Sequence, residues 1–304
     1  MHDRRALLRY LLTLAATPIL EPLRTFAAPA DVMTRVIPSS GERIPAIGLG
    51  SWITFNVGED AEARDECTDV VRAFLTSGGR LIDSSPMYGS SQAVIGYALA
   101  KLGRPKIFAA TKVWTSSKAD GAPQIEESRR FWGVDRFDLL QVHNLLSWES
   151  HLPLLYAMKE AGRLRYAGVT TSHGRRHADL EAIMRREKLD FIQCTYNPID
   201  REVEQRILPL ARDRGMAVII NRPFQQGDLI RRTQVRPLPA FAREIGAVSW
   251  AQLILKFIVS HPAVTVAIPA TSVAAHAREN VHAARAPLPD DAMRRRIVQA
   301  VDQS

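Results

Sequence analysis

Four polar residues stand where short apolar runs of the chain end. Asp83, Lys112 and His143 each close a different run, and Tyr88 lies in the loop that directly follows Asp83 and reads SSPMYGSS. A phenol with an ordinary pKa near ~10 becomes a better proton donor beside an ammonium, which stabilises the phenolate. A carboxylate can hold that ammonium, and an imidazole can hydrogen-bond a carbonyl oxygen. The set predicts carbonyl reduction by hydride transfer: Tyr88 is the general acid, assisted by Lys112, Asp83 and His143.

Each of these residues also has a structural explanation when it is taken alone. Asp83 could cap the turn that follows it. Lys112 could be a solvated strand end, His143 a core histidine with satisfied hydrogen bonds, and Tyr88 a loop packing residue. Their shared position at the ends of different runs favours a joint chemical role. No cluster of residues has metal-ligand spacing, so the prediction includes no metal.

The elements that must position these residues follow a repeated pattern. Apolar runs that are continuous, as in strands buried on both faces, alternate with helical patterns that stop at glycine. Gly48 and Gly50 lack the third glycine of a dinucleotide-binding loop, which argues against an open doubly wound sheet. The pattern predicts an α/β fold, a (β/α)8 TIM barrel of eight parallel strands, with a last helix from about residue 286 packed outside it. The eight runs are 44–52, 80–85, 106–114, 137–143, 164–172, 191–197, 216–224 and 264–270.

Residues 1–30 have the pattern of an export signal. Arg4-Arg5 precede the apolar stretch LLRYLLTLAATPIL, and a small-residue site, Ala28-Pro29-Ala30, follows. The paired arginines resemble a twin-arginine signal, which predicts a leader over 1–30, one barrel domain over 31–304 and a periplasmic location. The alternative is a cytoplasmic protein with an amphipathic N-terminal helix. Arg9 interrupts the apolar stretch, which is too short and too broken to predict a membrane span, and no stable membrane insertion is expected after the leader is removed.

Composition narrows the classes of partner. The 304 residues suit one barrel, and the formal net charge is +8. The basic residues are scattered through the chain, so nucleic acid is not an expected partner, whereas a positive field favours an anionic cofactor. Cys67 and Cys194 fall in a helical and a strand pattern, which predicts neither a disulfide nor a catalytic cysteine.

Several short motifs, in their order along residues 44–282, resemble the aldo-keto reductase family. They are IGLGSW, LID followed directly by SSPMYGSS, ATKV, DLLQVHN, GVTTS, QCTYNP and IPATS…AREN. The resemblance implies NAD(P)H-dependent reduction of aldehydes or ketones to alcohols, with the coenzyme in a groove across the barrel mouth. It implies that NADP(H) is preferred and NAD(H) possible, that the substrate is a small carbonyl compound, and that a monomer is the default expectation.

The resemblance also implies cofactor contacts. Thr170, Thr171 and Gln193 would hydrogen-bond the nicotinamide carboxamide. Asn221 stands where many members have a stacking tyrosine, and Arg222 could contact the pyrophosphate or face solvent. The predicted cofactor-binding residues are Gly50, Trp52, Asp83, Thr170, Thr171, Gln193, Asn221, Arg222, Pro223, Thr271, Ser272, His276, Glu279 and Asn280.

At the adenine end, Glu279 and Asn280 match the family's contacts, and Thr271 and Ser272 could donate to a 2′-phosphate. The family's phosphate-binding lysine and arginine look like Ala270 and His276 here. A bidentate arginine–phosphate pair is a main source of NADP selectivity, so its apparent loss weakens that preference.

Three tryptophans are predicted to wall the substrate pocket: Trp52, Trp114 and Trp148. Core packing is the alternative for each. Two rival functions stay open: a nucleotide-binding regulatory barrel with little turnover, and a barrel hydrolase or isomerase. The second would require paired carboxylates or metal-binding histidines at strand ends, which the sequence lacks there.

Overall fold

The structure, a computed structural model, describes residues 32–302. An antiparallel hairpin of β1 (Thr34–Val36) and β2 (Arg43–Pro45) comes first. Eight further strands follow, namely β3 (Leu49–Gly50), β4 (Leu81–Asp83), β5 (Phe108–Val113), β6 (Phe137–Val142), β7 (Leu164–Thr170), β8 (Phe191–Thr195), β9 (Ala217–Asn221) and β10 (Val266–Ala267). The α-helices are α1 (Ala61–Thr76), α2 (Ser91–Lys101), α3 (Gly121–Trp132), α4 (Trp148–Glu160), α5 (His177–Arg186), α6 (Ile207–Asp213), α7 (Asp228–Thr233), α8 (Trp250–Ser260), α9 (Ala274–His282) and α10 (Asp291–Asp302).

Strands β3 to β10 form one parallel sheet in chain order, and its two edges meet. Ile47 bridges to Ala267 and Gly50 bridges to Ala270. Because Gly50 N also donates to Pro269 O at 3.0 Å, the first strand is bonded to the last and the sheet is a closed barrel. Each of the eight apolar runs contains one of these strands, so the predicted (β/α)8 fold is confirmed.

Side chains alternate between the barrel interior and the layer under the helices, as the period of two in a strand requires. The interior is filled by aromatic and branched residues such as Phe108, Leu139, Tyr166 and Phe191. The β1–β2 hairpin belongs to the same cluster through Ile37 and Ile44, so it packs against the interior side chains from the end where the strands begin. The sequence did not predict this hairpin, because strands of three residues are too short to show a period.

Helix ends follow local chemistry. Asp60 Oδ1 accepts hydrogen bonds from Glu62 N and Ala63 N, which starts α1. α1 ends just before Gly78, whose φ of 105° is one that other residues rarely adopt, in agreement with a helical pattern that stops at glycine. A 3₁₀ turn, Glu202–Glu204, precedes α6, which begins at Ile207.

The remaining predictions about the chain concern its ends and its thiols. The leader over 1–30 lies outside the described residues. Within 32–302, no helix is long and apolar enough to span a membrane. The two thiols are free, and burial raises the pKa of Cys67 to about 11 and that of Cys194 to about 12. Both therefore stay protonated at neutral pH, in agreement with their predicted lack of nucleophilic chemistry.

Candidate active site

Four predicted catalytic residues meet at the mouth where the parallel strands end. Asp83 is the last residue of β4, Lys112 lies in β5, and His143 directly follows β6. A short 3₁₀ turn, Pro86–Tyr88, carries Tyr88 back over this mouth, and Ser85 Oγ caps it by accepting from Met87 N. Residues far apart in the chain thus lie close together at the C-terminal ends of the strands, the face at which other (β/α)8 barrels have their active sites.

Lys112 is the centre of the cluster. Its Nζ donates to Asp83 Oδ2 at 2.5 Å and to Ser84 O at 2.8 Å, and its charge interacts with the Tyr88 side chain. The same Nζ lies 5.1 Å from the centroid of the Tyr88 ring. The ammonium, carboxylate and phenol therefore form one contiguous group, with Lys112 and Asp83 almost fully buried.

The electrostatics of this group differ in one respect from the prediction. Burial raises the pKa of Tyr88 and outweighs the nearby Lys112 ammonium, which lowers it. The expected net lowering of the phenol pKa is therefore wrong for the protein alone; Lys112 only reduces the increase that burial causes. Burial by itself lowers the pKa of Lys112, but Asp83 and Tyr88 together outweigh it, so that pKa is raised and the amine stays charged.

His143 is buried beside the phenol. Its ring centroid lies 5.7 Å from that of Tyr88, with the planes at 85°. Its Nδ1 lies 2.7 Å from Ser85 Oγ. Burial and the Lys112 charge lower the pKa of His143 to about 2, so the imidazole is neutral at any physiological pH.

A cavity of about 310 Å³ opens over this cluster. Tyr88, Asp83 and His143 line it, whereas Lys112 lies behind them. Of the predicted cofactor residues, the lining includes Gly50, Trp52, Asp83, Thr170, Gln193, Asn221, Arg222 and Pro223. The sequence did not single out His173, Phe224 or Ile53, which also line the cavity, because loop residues give no periodic signal.

The predicted nicotinamide-binding side chains form a hydrogen-bonded layer under the cavity. Gln193 Nε2 donates to Asp83 Oδ1 at 3.3 Å. Asn221 Nδ2 donates to Thr171 O at 2.8 Å, and Thr195 Oγ1 donates to Asn221 Oδ1 at 2.7 Å. Asn221 therefore ties β7, β8 and β9 together in the position where the family commonly has a stacking tyrosine.

Thr170 and Thr171 differ in where their side chains lie. Thr170 lines the cavity, and its Oγ1 accepts a hydrogen bond from Asn144 N at 2.9 Å. The Thr171 hydroxyl is buried without a hydrogen-bond partner among the described residues, and the residue does not line the cavity. The predicted carboxamide contact of the Thr171 side chain is therefore not supported, because successive side chains of a strand point to opposite faces.

Arg222 and His173 form a basic edge of the cavity. Arg222 Nη1 lies 2.8 Å from His173 Nε2, and both residues line the cavity. Arg222 has a φ of 51°, a left-handed conformation that only a few per cent of non-glycine residues adopt. Arg222 therefore lies at the cavity, and its contact with a pyrophosphate stays a prediction.

The residues predicted for the adenine end do not line this cavity; Thr271 and Ser272 precede α9, and His276, Glu279 and Asn280 lie within it. Thr271 Oγ1 accepts from Val273 N at 3.0 Å, and Ser272 and His276 are exposed. Glu279 accepts a hydrogen bond from Ser249 Oγ, and Asn280 is buried. Arg278 is exposed on the same helix. Thr271 and Ser272 directly precede the N-terminus of α9, where backbone N–H groups favour an anion.

Only one of the three predicted pocket tryptophans lines the cavity. Trp52 does, and its ring centroid lies 6.4 Å from that of Tyr88. Trp114 is 41% exposed just after β5, and Trp148 starts α4 with the Arg186 guanidinium 4.6 Å from its ring centroid. Trp114 and Trp148 therefore do not line this cavity, and their role as walls of a substrate pocket stays a prediction.

A closed (β/α)8 barrel with a buried lysine–aspartate pair beside a tyrosine at its mouth defines the structural class of the protein. The model of the aldo/keto reductase family matches residues 46–300. The chain therefore belongs to the aldo/keto reductase family.

Curated relatives and solved structures are similar to the chain over most of its length. It is 29% identical over 261 residues to the methylglyoxal reductase YeaE of Escherichia coli, covering 81% of this chain and 88% of that protein. It is 28% identical to the NADH-specific methylglyoxal reductase of the same organism, over 60% of this chain and 64% of that one. A crystal structure of an aldo/keto reductase from Klebsiella pneumoniae, in complex with NADP and acetate, shares the fold with a TM-score of 0.70 at 24% identity, over 87% and 94% of the two chains.

Proposed function

We propose that the protein reduces small aldehydes and ketones to alcohols with a reduced nicotinamide coenzyme. The observation that carries the proposal is the contact of Lys112 Nζ with both Asp83 and Tyr88 under a cavity that His143 also lines. A regulatory barrel that only binds nucleotide has no need to bury a charged pair against a phenol. The paired carboxylates of a hydrolase do not occur at this mouth, where Asp83 is the one acidic residue among the described lining residues.

Each residue has a task in that reaction. When bound, the coenzyme supplies the hydride. Tyr88 delivers the proton to the carbonyl oxygen as negative charge develops there, and Lys112 stabilises the phenolate that this transfer leaves. Asp83 holds the ammonium in place, and His143, as a neutral imidazole, orients the carbonyl oxygen.

The residues present fit a nicotinamide coenzyme. Gln193 and Thr170 offer amide and hydroxyl groups to a carboxamide at the cavity floor, and Arg222 offers a cation to the diphosphate. The exposed start of α9 offers backbone N–H groups and the nearby Arg278 to a 2′-phosphate. We propose NADP(H) as the preferred coenzyme, in line with the NADP-bound Klebsiella structure, and NAD(H) as an alternative that the NADH-specific relative supports.

The substrate class follows from the size of the cavity and from the relatives. The cavity volume of about 310 Å³ is at the lower end of the range for small-molecule sites. A bound nicotinamide would fill part of this cavity and leave room only for a small substrate. Two relatives act on methylglyoxal, a three-carbon dicarbonyl compound. We propose small, reactive carbonyl compounds of this kind as substrates, bound by a monomer.

The test is NADPH oxidation with methylglyoxal and with nitrobenzaldehyde, for the wild type and for Tyr88→Phe. Loss of the phenol hydroxyl removes the general acid, so kcat should fall by at least ~100-fold with little change in NADPH affinity. Tyr97→Phe is the matched control, because Tyr97 lies on α2 and bonds Asp65 outside the cavity. Full activity of Tyr88→Phe, or nucleotide binding by the wild type with no turnover of any aldehyde, would exclude the proposed enzyme.

We also propose that the signal over 1–30, which resembles a twin-arginine signal, directs export of the folded protein. Because the protein folds before it is exported, it could bind a coenzyme tightly in the cytoplasm and carry it across the membrane. The test is fractionation of cells that express the full chain, with N-terminal sequencing of the product. An intact N-terminus in the cytosolic fraction would contradict export.

A further inference from the structure

Ser85 is a buried hydroxyl that the mechanism above does not use. It is fully shielded from solvent between β4 and the turn that carries Tyr88. Its Oγ has two polar neighbours among the described residues: Met87 N at 3.2 Å and His143 Nδ1 at 2.7 Å. The short second distance makes Ser85 the direct partner of the imidazole.

The hydrogens of this group can be assigned from the donors and acceptors alone. The Met87 N–H can only donate, so Ser85 Oγ accepts from it. The hydroxyl has one hydrogen of its own, and His143 Nδ1 is the remaining neighbour that can accept it. If Nδ1 instead carried a hydrogen and donated to Oγ, the hydroxyl hydrogen would have no acceptor among the described residues in a buried site, which is unfavourable.

The second ring nitrogen of His143 faces different surroundings. No described residue is hydrogen-bonded to Nε2, and His143 is part of the wall of the cavity. A neutral imidazole has one N–H, so a bare Nδ1 requires that Nε2 carries it. Burial and the Lys112 charge, which lower the pKa of His143 to about 2, exclude a second hydrogen on the ring near neutral pH.

We propose that Ser85 is a positioning residue that fixes His143 as the Nε2–H tautomer, so that the imidazole donates a hydrogen bond to the substrate carbonyl oxygen. The role in reduction rests on the proposed function, whereas the tautomer itself does not. With the opposite tautomer, the Nε2 lone pair would face the lone pairs of the carbonyl oxygen, where negative charge develops, and would repel them. Ser85 thus determines that the substrate oxygen faces a hydrogen-bond donor of His143 and not a lone pair.

The first experiment observes the tautomer directly. The wild type and Ser85→Ala, both labelled with ¹⁵N-histidine, are compared by long-range ¹H–¹⁵N correlation spectra, with His143→Gln to assign the signals. We expect the pattern of an Nε2–H imidazole for His143 in the wild type and a mixture of tautomers, or Nδ1–H, in Ser85→Ala. An Nδ1–H pattern in the wild type, or an unchanged pattern in the variant, would overturn the proposal.

The second experiment measures turnover with methylglyoxal. Ser85→Ala should lower kcat by about 10-fold to 100-fold while the Kd of NADPH stays unchanged, and Ser85→Thr, which keeps the hydroxyl, should restore most of the rate. Ser128→Ala is the control for removing a buried hydroxyl, because Ser128 bonds Gln92 on the outer layer instead. Equal rates for Ser85→Ala and the wild type, with both folded, would overturn the positioning role.

The two experiments separate the proposals. If the wild type turns over no carbonyl compound but its His143 shows Nε2–H that Ser85→Ala loses, the tautomer assignment stands and the proposed function fails. If turnover is present and the tautomer pattern is Nδ1–H, the proposed function stands and the role of Ser85 fails.

Discussion

Lys112 Nζ lies 2.5 Å from Asp83 Oδ2, with the two side chains exposed by only 0% and 2%. Taking two charges out of water costs several kcal/mol per ion, which their attraction repays only when further hydrogen bonds complete the geometry. Ser84 O and Gln193 Nε2 supply such bonds here, one to each partner. A pair held this way is weak evidence for added stability, and its position beside Tyr88 indicates that its value lies in placing an ammonium there.

Removing both members of this pair should therefore destabilise the fold by less than the two single removals added together. We expect Asp83→Asn and Lys112→Met each to lower the free energy of unfolding by about 3–5 kcal/mol, because each leaves a buried charge unpaired. The double variant should lose clearly less than the sum of the two single losses. Urea unfolding of the four proteins at pH 7 measures this coupling; strictly additive losses would mean that the two charges do not interact.

The neutral state of His143 predicts a dependence of stability on pH. The folded protein holds the pKa of His143 at about 2, against 6.5 for an unperturbed histidine. As pH falls below 6.5 the unfolded chain takes up a proton that the folded protein does not, so stability is lost on acidification. From pH 7 to pH 5 this one group should cost about 2 kcal/mol.

The variant His143→Gln isolates that contribution. It cannot titrate, so its free energy of unfolding should fall by about 2 kcal/mol less than that of the wild type between pH 7 and pH 5. Other acid-sensitive groups, such as His261, whose pKa burial lowers to about 4, are common to both proteins and cancel in the comparison. If the two proteins lost stability equally between pH 7 and pH 5, His143 would take up its proton in the folded protein over the same pH range as in the unfolded chain.

The sequence predicted the site best where chemistry and topology coincide. Asp83, Lys112 and His143 could be found because a polar residue that ends a buried strand is conspicuous and parallel strands end at one face. The β1–β2 hairpin could not, because its strands are too short to show a period, and Ser85 could not, because its partner His143 is far away in the chain. Trp114 does not line the cavity, and the residue type alone could not show this, since it does not determine the direction of the side chain.

The direction of the Tyr88 pKa shift also could not be predicted from the sequence. The residue types predict a phenol beside an ammonium, and that contact exists. The net direction depends on how much water the fold removes around the phenol, and here burial is the larger influence. The extent of desolvation depends on how the folded chain packs around the phenol, which the spacing of residues in a motif does not predict.

Arg278 is the one exposed arginine on α9. If it contacts the 2′-phosphate, Arg278→Ala should raise the Kd of NADPH by about 10-fold or more and leave that of NADH unchanged, since a charge-assisted hydrogen bond contributes about 1.5–3 kcal/mol. Fluorescence titrations with both coenzymes measure this. Arg296→Ala on α10, which removes an exposed guanidinium paired with Glu244, controls for net charge. Equal effects on the two coenzymes would place the phosphate elsewhere.

Substitution of two buried glutamines by the same residue is expected to change the free energy of unfolding differently. Gln141 lies in β6 between Lys112 and Gly168 in the sheet register, fully buried, and neither of its amide atoms has a hydrogen-bond partner among the described residues. Gln92 is also buried, but its amide donates to Ser128 Oγ and accepts from Thr111 Oγ1 and Trp132 Nε1. An unpaired buried amide costs free energy, whereas a paired one leaves several groups unsatisfied when it is removed.

Methionine has nearly the length of glutamine and no amide. We therefore expect Gln141→Met to leave the free energy of unfolding unchanged or to raise it by about 1–2 kcal/mol, and Gln92→Met to lower it by about 2–4 kcal/mol. Urea unfolding of both variants against the wild type gives the comparison. Because Gln141 adjoins Lys112 in the register, a loss for Gln141→Met as large as that for Gln92→Met would mean that the Gln141 amide is hydrogen-bonded in solution. Water inside the barrel, beneath Lys112 and Asp83, is the available partner.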